Sequence, residues 1–149
     1  MTDPELKHVL LTTKTIAVFG CSADPSKASY RVAAYLQAHG YRMVPVSPRG
    51  GVILGETVYP DLASIPFPVD LVDVFRPPTE CPPVAEQAVA IGAKTLWLQL
   101  GIVSAEAAAI AEAGGLAVVM DRCTLIEHRR LSPGRSGSET ETGPDRARQ

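Results

Sequence analysis

The sequence of 149 residues lacks several features that would assign it to a common functional class. Its 14 basic and 16 acidic residues give a net charge of −2, so there is no excess of positive charge to attract nucleic acid. The three cysteines, Cys21, Cys81 and Cys123, form no CxxC pair, which argues against a disulfide framework and against a zinc site. No apolar run is long enough for a signal peptide or a membrane span. We therefore expect a cytoplasmic protein that binds neither membranes nor nucleic acid.

A dinucleotide-binding glycine fingerprint is also missing. The apolar run from Thr15 to Phe19 predicts a strand, and the segment from Gly20 to Asp24 has one glycine where the fingerprint would have three. The N-terminus of a following helix offers free N–H groups and the positive end of a dipole, so it can bind an anion without three glycines. The sequence therefore predicts a phosphate-bearing ligand at this loop and leaves its identity open.

What the chain does contain is an alternation of strand-length apolar runs with helical patterns, which is typical of a parallel sheet covered on both faces. A chain of this length that is 46% hydrophobic can build one core. We predict an α/β fold, a Rossmann-like doubly wound parallel sheet in a single domain, with strand order 3-2-1-4-5-6. The predicted strands are Thr15 to Phe19, Met43 to Ser47, Thr57 to Tyr59, Val69 to Phe75, Thr95 to Leu98 and Leu116 to Met120.

The predicted domain covers residues 14–131. An N-terminal segment, residues 1–13, precedes it. Residues 132–149 are rich in Ser, Gly, Thr and charged residues without apolar periodicity, which predicts a disordered tail.

Five loops should meet at one edge of the sheet, because ligands of such folds bind at the carboxyl ends of the strands, where the strand order reverses. Three loops supply the main candidates for a ligand site: Gly20, Cys21, Ser22 and Ala23; Ser47, Pro48 and Arg49; and Phe75, Arg76, Pro77 and Pro78. Two further loops supply possible accessory residues, Gln99 and Gly101 in one and Arg122 and Cys123 in the other. The alternative is that these glycines and prolines only form turns. Their clustering at one predicted edge favours binding.

The loop after the second strand helps to choose the ligand. An NAD site usually has Asp or Glu at the end of that strand, whereas this chain has Ser47, followed by Arg49. A guanidinium suits a phosphate on the adenosine ribose, which leaves NADP or coenzyme A, although an exposed surface arginine is the alternative. The donor-poor run from Phe75 to Pro78 suits a pantetheine chain better than a nicotinamide amide, unless its prolines merely begin a helix.

Five runs of this sequence resemble the small stand-alone CoA-binding proteins, which are similar to the CoA-binding domain of the succinyl-CoA synthetase alpha subunit. The resemblance extends from about Lys14 to Leu131. The runs are Ala17 to Ser22, Gly40 to Pro48, Val72 to Arg76, Gly92 to Gly101 and Val119 to Cys123.

The resemblance implies a Rossmann-like fold with coenzyme A as the ligand. In the larger synthetases the first loop receives the CoA phosphates, a basic residue contacts the nucleotide and a proline-rich loop borders pantetheine. These roles would fall on Gly20 to Ala23, on Arg49, and on Phe75 to Pro78. Two positions depart from the family pattern: Ser47 stands where Asn is usual, and Cys21 stands where an apolar residue is usual.

The sequence favours ligand binding without catalysis. His8, His39 and His128 are interpreted as surface or helix-terminal histidines, since none has a positioned partner for acid–base chemistry. A serine hydrolase elbow is disfavoured because Asp24 stands where its closing glycine should be. The interpretation is therefore a protein that binds coenzyme A or an acyl-CoA. An NADP-dependent or acyl-CoA-transforming enzyme, or a partner-binding module with a vestigial pocket, is the alternative, and protein partners stay undefined.

Cys123 permits two interpretations. The neighbouring Arg122 could lower the pKa of the thiol and favour the reactive thiolate. Alternatively, Cys123 is a small residue packed at the end of a strand, as unpaired cysteines commonly are.

Overall fold

Parallel strands form the central layer of the fold in the computed structural model, which describes residues 1–131. The sheet contains β1 (Thr15–Phe19), β2 (Arg42–Val46), β5 (Leu71–Val74), β6 (Thr95–Leu98) and β7 (Ala117–Val119), in the order β2-β1-β5-β6-β7. The helices are α1 (Asp3–Thr12), α2 (Ala28–Ala38), α3 (Cys81–Ala90), α4 (Ala105–Ala113) and α5 (Thr124–Leu131). The predicted disordered tail, residues 132–149, lies outside the described residues.

Alternating residues of the strands build two hydrophobic cores on opposite faces of the sheet. In β1, Ala17 packs with the core under α3 and α4, while Ile16 and Val18 pack with the core under α1 and α2. Helices therefore cover both faces, and the prediction of a doubly wound, Rossmann-like α/β domain is confirmed. Within residues 1–131, no helix has the length and apolar character needed to cross a membrane.

The predicted strand order is wrong in one detail, because the third predicted strand does not join the sheet. Residues Val52–Ile53 (β3) and Glu56–Thr57 (β4) instead pair with each other as an antiparallel hairpin. Only one parallel bridge, between Val46 and Tyr59, continues the sheet beyond β2. The prolines explain this: the carbonyl of Pro45 accepts from Tyr59 on that edge, but Pro45 has no N–H to donate there.

Two helices, α1 and α5, were not expected from the sequence. Thr2 and Glu5 form a capping box at the start of α1, which buries Leu6 and Leu10. Arg130 of α5 forms two hydrogen bonds of 2.9 Å to the carboxylate of Asp3, which ties the two helices together.

Of the two positions predicted for His128, surface or helix-terminal, the surface position is wrong. His128 lies in the last turn of α5 but is only 2% exposed, and its Nδ1 is 2.8 Å from the Tyr35 hydroxyl. Burial lowers the pKa of His128 to about 4, so the ring is neutral at physiological pH.

A buried polar network joins β5, β6 and α5 near the carboxyl ends of the strands. Nε2 of Gln99 donates to Asp73 Oδ1 at 2.6 Å and to Thr124 Oγ1 at 2.9 Å. The Thr124 hydroxyl in turn donates to Asp73 Oδ2 at 2.8 Å. Asp73 has no exposed surface, and burial raises its pKa to about 7, although both hydrogen bonds lower it.

The raised pKa of Asp73 predicts that the contribution of this residue to stability falls as the pH rises from about 4 to about 7. The folded protein keeps a proton on Asp73 in that interval, whereas the unfolded chain releases it. Asp73→Asn mimics the protonated carboxyl, so its stability relative to the native protein should increase with pH, by on the order of 1 kcal/mol per pH unit. Urea denaturation of both proteins between pH 4.5 and 8 measures this difference.

The comparison isolates Asp73 because other titrating groups are common to both proteins. His128 acts in the opposite direction, since its lowered pKa removes stability as the pH falls from about 6.5 to about 4. That contribution cancels in the difference between native protein and variant. A difference that stays constant over the whole pH range would contradict the prediction.

Candidate functional site

A cavity of about 890 Å³ opens at the carboxyl ends of β1 and β2. We call it the first cavity. It brings together eight of the residues predicted from the sequence: Gly20, Cys21, Ser22, Ala23, Ser47, Pro48, Arg49 and Arg76. It is also lined by Phe19, Asp24, Lys27, Val46, Gly50, Ile53, Pro60 and Glu80. The loops after these strands therefore meet as the parallel topology requires.

The loop after β1 is held rigidly by its own backbone and by α2. The amides of Gly20 and Cys21 donate to the carbonyl of Val46, at 2.9 Å and 3.3 Å. The Ser22 amide donates to Oγ of Ser29, at 2.9 Å, which connects the loop to the first turn of α2. Because these three amides already donate hydrogen bonds within the protein, they are not available to an anion. The N–H groups that remain available at this end of the cavity are those at the start of α2.

The N-terminus of α2 lies at the boundary of the first cavity. Its N-cap residue is Lys27, and no side chain caps the helix there. The start of α2 therefore has free N–H groups and the positive end of the helix dipole. The side chain of Lys27, at the same position, lines the first cavity and adds a positive charge. Lys27 was not among the candidate site residues predicted from the sequence.

Cys21 has a packing role. It is 4% exposed and belongs to the core under α1 and α2, which explains why an apolar residue is usual at this position. Burial, together with the nearby Asp73 carboxylate, raises the pKa of the Cys21 thiol to about 11. The thiol therefore stays protonated at physiological pH.

Charged side chains around the first cavity differ in whether they have partners. Arg76 forms a bidentate pair with Glu80, with N–O distances of 2.9 Å and 3.0 Å, which raises the pKa of Arg76 and lowers that of Glu80. The Asp24 carboxylate accepts from the amide and hydroxyl of Ser26. Among residues 1–131, the Arg49 guanidinium has no hydrogen bond or ion pair, and the Ser47 hydroxyl accepts from the Arg49 amide at 3.3 Å. The backbone of the loop after β2 is therefore held by hydrogen bonds, while the Arg49 guanidinium remains available to a ligand.

A second cavity, of about 470 Å³, lies at the carboxyl ends of β5 and β6. Arg76 lines both cavities. The predicted residues Phe75, Pro77, Gln99 and Cys123 lie here rather than in the first cavity. The remaining lining residues are Ala28, Val32, Leu100, Ile102 and Ile126. The loop after β5 thus lies between the two cavities, with Arg76 lining both.

Three predicted residues line neither of these cavities. Pro78 begins a 3-10 turn, Pro78–Glu80, that leads into α3. The Gly101 amide donates to the Asp121 carboxylate at 2.7 Å. The Arg122 guanidinium is paired with Glu127 at 3.3 Å, so it is directed toward α5 instead of being free to activate Cys123.

The sequence analysis missed several residues of the first cavity for identifiable reasons. Ile53 lies in the β3–β4 hairpin and Pro60 follows it, whereas the sequence predicted only a strand from Thr57 to Tyr59 in this region. Glu80 lies four residues after Arg76, whose guanidinium binds its carboxylate beside the cavity. The position of Lys27 directly before the apolar stripe of α2 was the one signal in the sequence that could have identified it.

The doubly wound sheet and the crevice at its strand-order reversal define a Rossmann-like domain with a ligand-sized site. Residues 14–129 match the family described as "CoA binding domain". The chain belongs to this family, and the resemblance stated from the sequence is confirmed.

Three relatives illustrate the range of this similarity. An uncharacterized protein of Bacillus subtilis, YneT, is 36% identical over 124 residues, which cover 83% of this chain and 92% of the relative. The structure named cell-free ID.343, from Thermus thermophilus, has a TM-score of 0.84 and 41% identity, and the match covers 88% of this chain and 99% of that one. The alpha subunit of an ADP-forming acetate–CoA ligase of Pyrococcus furiosus is 32% identical over 95 residues. That match covers 60% of this chain and 21% of the ligase subunit.

The closeness of the β1 loop to Arg76 predicts that Gly20 tolerates no side chain. Gly20 has φ +85°, and a Cβ there would lie 2.8 Å from Arg76 Cδ and 2.9 Å from the carbonyl oxygen of Phe75. Gly115 has nearly the same φ, +89°, with nothing within 4 Å of its Cβ position. Both Gly→Ala variants should lose about 1–2 kcal/mol from left-handed strain, and Gly20→Ala should lose about 1–3 kcal/mol more from overpacking. Chemical denaturation measures both losses, and equal losses would contradict the steric argument.

Proposed function

We propose that this protein binds coenzyme A in the first cavity and does not itself transform it. The observation that carries the proposal is the Arg49 guanidinium, which lines the cavity without a partner among the described residues. An arginine left free beside a pocket is suited to a phosphate, because its fork can donate two hydrogen bonds. Membership of the CoA-binding domain family indicates which phosphate-bearing ligand to expect.

The distribution of charge suggests how the ligand would lie. Coenzyme A carries a phosphate on the adenosine ribose and a diphosphate, and the cavity offers Arg49 at one loop and Lys27 with the α2 N-terminus at another. We assign the ribose phosphate to Arg49, and the diphosphate to the start of α2, where it would lie beside the β1 loop from Gly20 to Ala23. The pantetheine arm then follows the loop from Phe75 to Pro78 toward the second cavity.

The absence of catalysis is part of the proposal, and the composition of the crevice supports it. Within residues 1–131, no histidine lines either cavity, and His128 lies beyond the opposite ends of the strands, beside Lys14 and Thr15. Ser22 Oγ accepts a hydrogen bond from the Asp24 amide and has no base beside it. Nothing in the crevice therefore pairs a nucleophile with a general base. Three free cysteines, Cys21, Cys81 and Cys123, are in keeping with the cytoplasmic location that we propose.

The role of Arg49 predicts a preference for coenzyme A over dephospho-CoA. A hydrogen bond to a charged group contributes about 1.5–3 kcal/mol, so the native protein should bind coenzyme A at least about tenfold more tightly. Arg49→Ala should weaken coenzyme A binding by a similar factor and leave dephospho-CoA binding unchanged. Calorimetric titration of both proteins with both ligands gives the four affinities.

Two control variants sharpen this experiment. Arg49→Lys keeps the charge and should restore part of the preference. Lys94→Ala removes one positive charge from the start of β6, at the other end of the strands, and should leave both affinities unchanged. Equal binding of the two ligands by the native protein would refute the assignment of Arg49. Binding of NADP in place of coenzyme A would favour the alternative of an NADP-dependent enzyme. Binding of neither ligand would favour a partner-binding module with a vestigial pocket.

The position of Cys123 predicts selective exchange with coenzyme A disulfide. Cys123 is partly exposed in the second cavity, whereas Cys21 and Cys81 are buried and burial raises the pKa of both thiols. The Cys123 thiolate attacks one sulfur of the disulfide, the mixed disulfide forms, and one coenzyme A leaves as its thiolate. Intact-mass analysis should show a single adduct in the native protein, in Cys21→Ser and in Cys81→Ser.

Cys123→Ser should give no adduct. Glutathione disulfide at the same concentration should react more slowly with the native protein, because it lacks the nucleotide that would hold it in the first cavity. An adduct that persists in Cys123→Ser would show that the pantetheine arm takes another course.

A further inference from the structure

One wall of the second cavity is apolar. The binding of coenzyme A alone does not explain why this surface is apolar. Its walls are mainly aliphatic and aromatic, from Val32, Phe75, Pro77, Leu100, Ile102 and Ile126. Leu100 is 62% exposed and Ile126 is 48% exposed, so this wall keeps large apolar side chains in contact with water. Apolar surface gathered around a cavity is typical of a site that receives an apolar group.

The polar side chains of the second cavity are already engaged. The Gln99 amide nitrogen donates to Asp73 and Thr124, deep in the domain. Arg76, which stands between the cavities, is held by both oxygens of Glu80. Among the described residues that line the second cavity, no unpaired cation is therefore present that could neutralise a carboxylate placed near Leu100 and Ile126.

Within residues 1–131, the N-termini of α2 and α5 are the features here that would attract an anion. Helix α2 begins at the boundary of the two cavities, where Lys27 lines the first and Ala28 lines the second, and α5 begins directly after Cys123, which lines the second. An exposed helix end contributes only about 0.3–1 kcal/mol to a nearby anion, which does not offset the cost of moving a carboxylate from water to an apolar wall. The proposed function uses the N–H groups of α2 for the diphosphate. What lies beyond them is the apolar wall with the Cys123 thiol.

We propose that the second cavity receives the acyl group of a CoA thioester and selects uncharged, apolar acyl chains over chains that end in a carboxylate. The inference rests on the proposed function, because the first cavity must hold the nucleotide for the acyl group to reach the second. Arg76 lines both cavities, so the two ends of the ligand would lie on either side of this residue. A volume of about 470 Å³ leaves room for a chain longer than acetyl.

Affinity should therefore increase with the apolar length of the acyl chain. Burial of one methylene group corresponds to roughly a fourfold gain in affinity. Calorimetric titration of the full-length protein with coenzyme A, acetyl-CoA, hexanoyl-CoA and adipoyl-CoA tests this. Hexanoyl-CoA should bind at least about tenfold more tightly than coenzyme A, since it offers several such groups. Adipoyl-CoA, which has the same chain length and a terminal carboxylate, should bind no more tightly than coenzyme A.

Variants of Ile126 place the acyl chain. Ile126 is half-exposed in the first turn of α5, so a charged residue there leaves the core intact. Ile126→Asp should abolish the gain of hexanoyl-CoA and leave coenzyme A unchanged, and Ile126→Lys should make adipoyl-CoA bind more tightly than it does to the native protein. Val103→Asp is the matched control, since Val103 is 54% exposed and does not line the cavity.

The possible failures are distinguishable. If coenzyme A itself does not bind, the proposed function is wrong and the inference fails with it. If coenzyme A binds and the acyl derivatives bind equally well, the inference is overturned and the proposed function stands. A gain for hexanoyl-CoA that survives Ile126→Asp, or an equal gain for adipoyl-CoA, would also overturn the inference.

Discussion

The crevice depends on the pairing of β1 with a parallel strand on each side. Phe19, the last residue of β1, is in register with Val46 of β2 and with Val74 of β5. Three strands therefore end at the same level, and the chain leaves them in loops that must share one edge. The carbonyl of Val46 holds the amides of Gly20 and Cys21. Gly20 can lie against Arg76 only because it has no side chain.

A buried network of polar side chains lies at the same edge of the sheet. It stabilises the strand ends and the start of α5 below the exposed residues of the second cavity. The Asp73 carboxylate, Gln99 and Thr124 fix β5, β6 and the first turn of α5 to one another. Among the described residues, the one fully buried side-chain nitrogen or oxygen atom without a hydrogen bond is His128 Nε2, which lies outside this network. Residues above it, such as Leu100 and Ile126, are then free to be exposed and apolar, because they do not have to hold α5 in place.

The sequence predicted the parts of the fold that depend on buried apolar periodicity. The five paired strands were all expected, as was their alternation with helices. Helix α5 was missed because its buried positions are polar, including Thr124 and His128, and are satisfied by tertiary partners that no local pattern reveals. The capping box of Thr2 and Glu5 was a readable signal for α1. The hairpin replaced a predicted strand because edge pairing depends on Pro45, whose effect requires knowing which side of β2 is open.

The location of the site was predicted mainly from the order of strands and loops. The chemical types of the individual residues contributed less. Loop position alone placed twelve of the candidate residues around the two cavities, whereas assigning them to a cavity required the structure. Arg122 shows why: adjacency in sequence suggested that it acts on Cys123, but Glu127, one turn into α5, takes its guanidinium. Arg76, between the two cavities, is held by Glu80. Under the proposed function, the positive charge of Lys27 and the α2 N-terminus at the boundary and the apolar wall beyond it therefore act on different ends of one ligand. The charge determines the direction in which the ligand lies, and the apolar wall determines which acyl group the second cavity accepts.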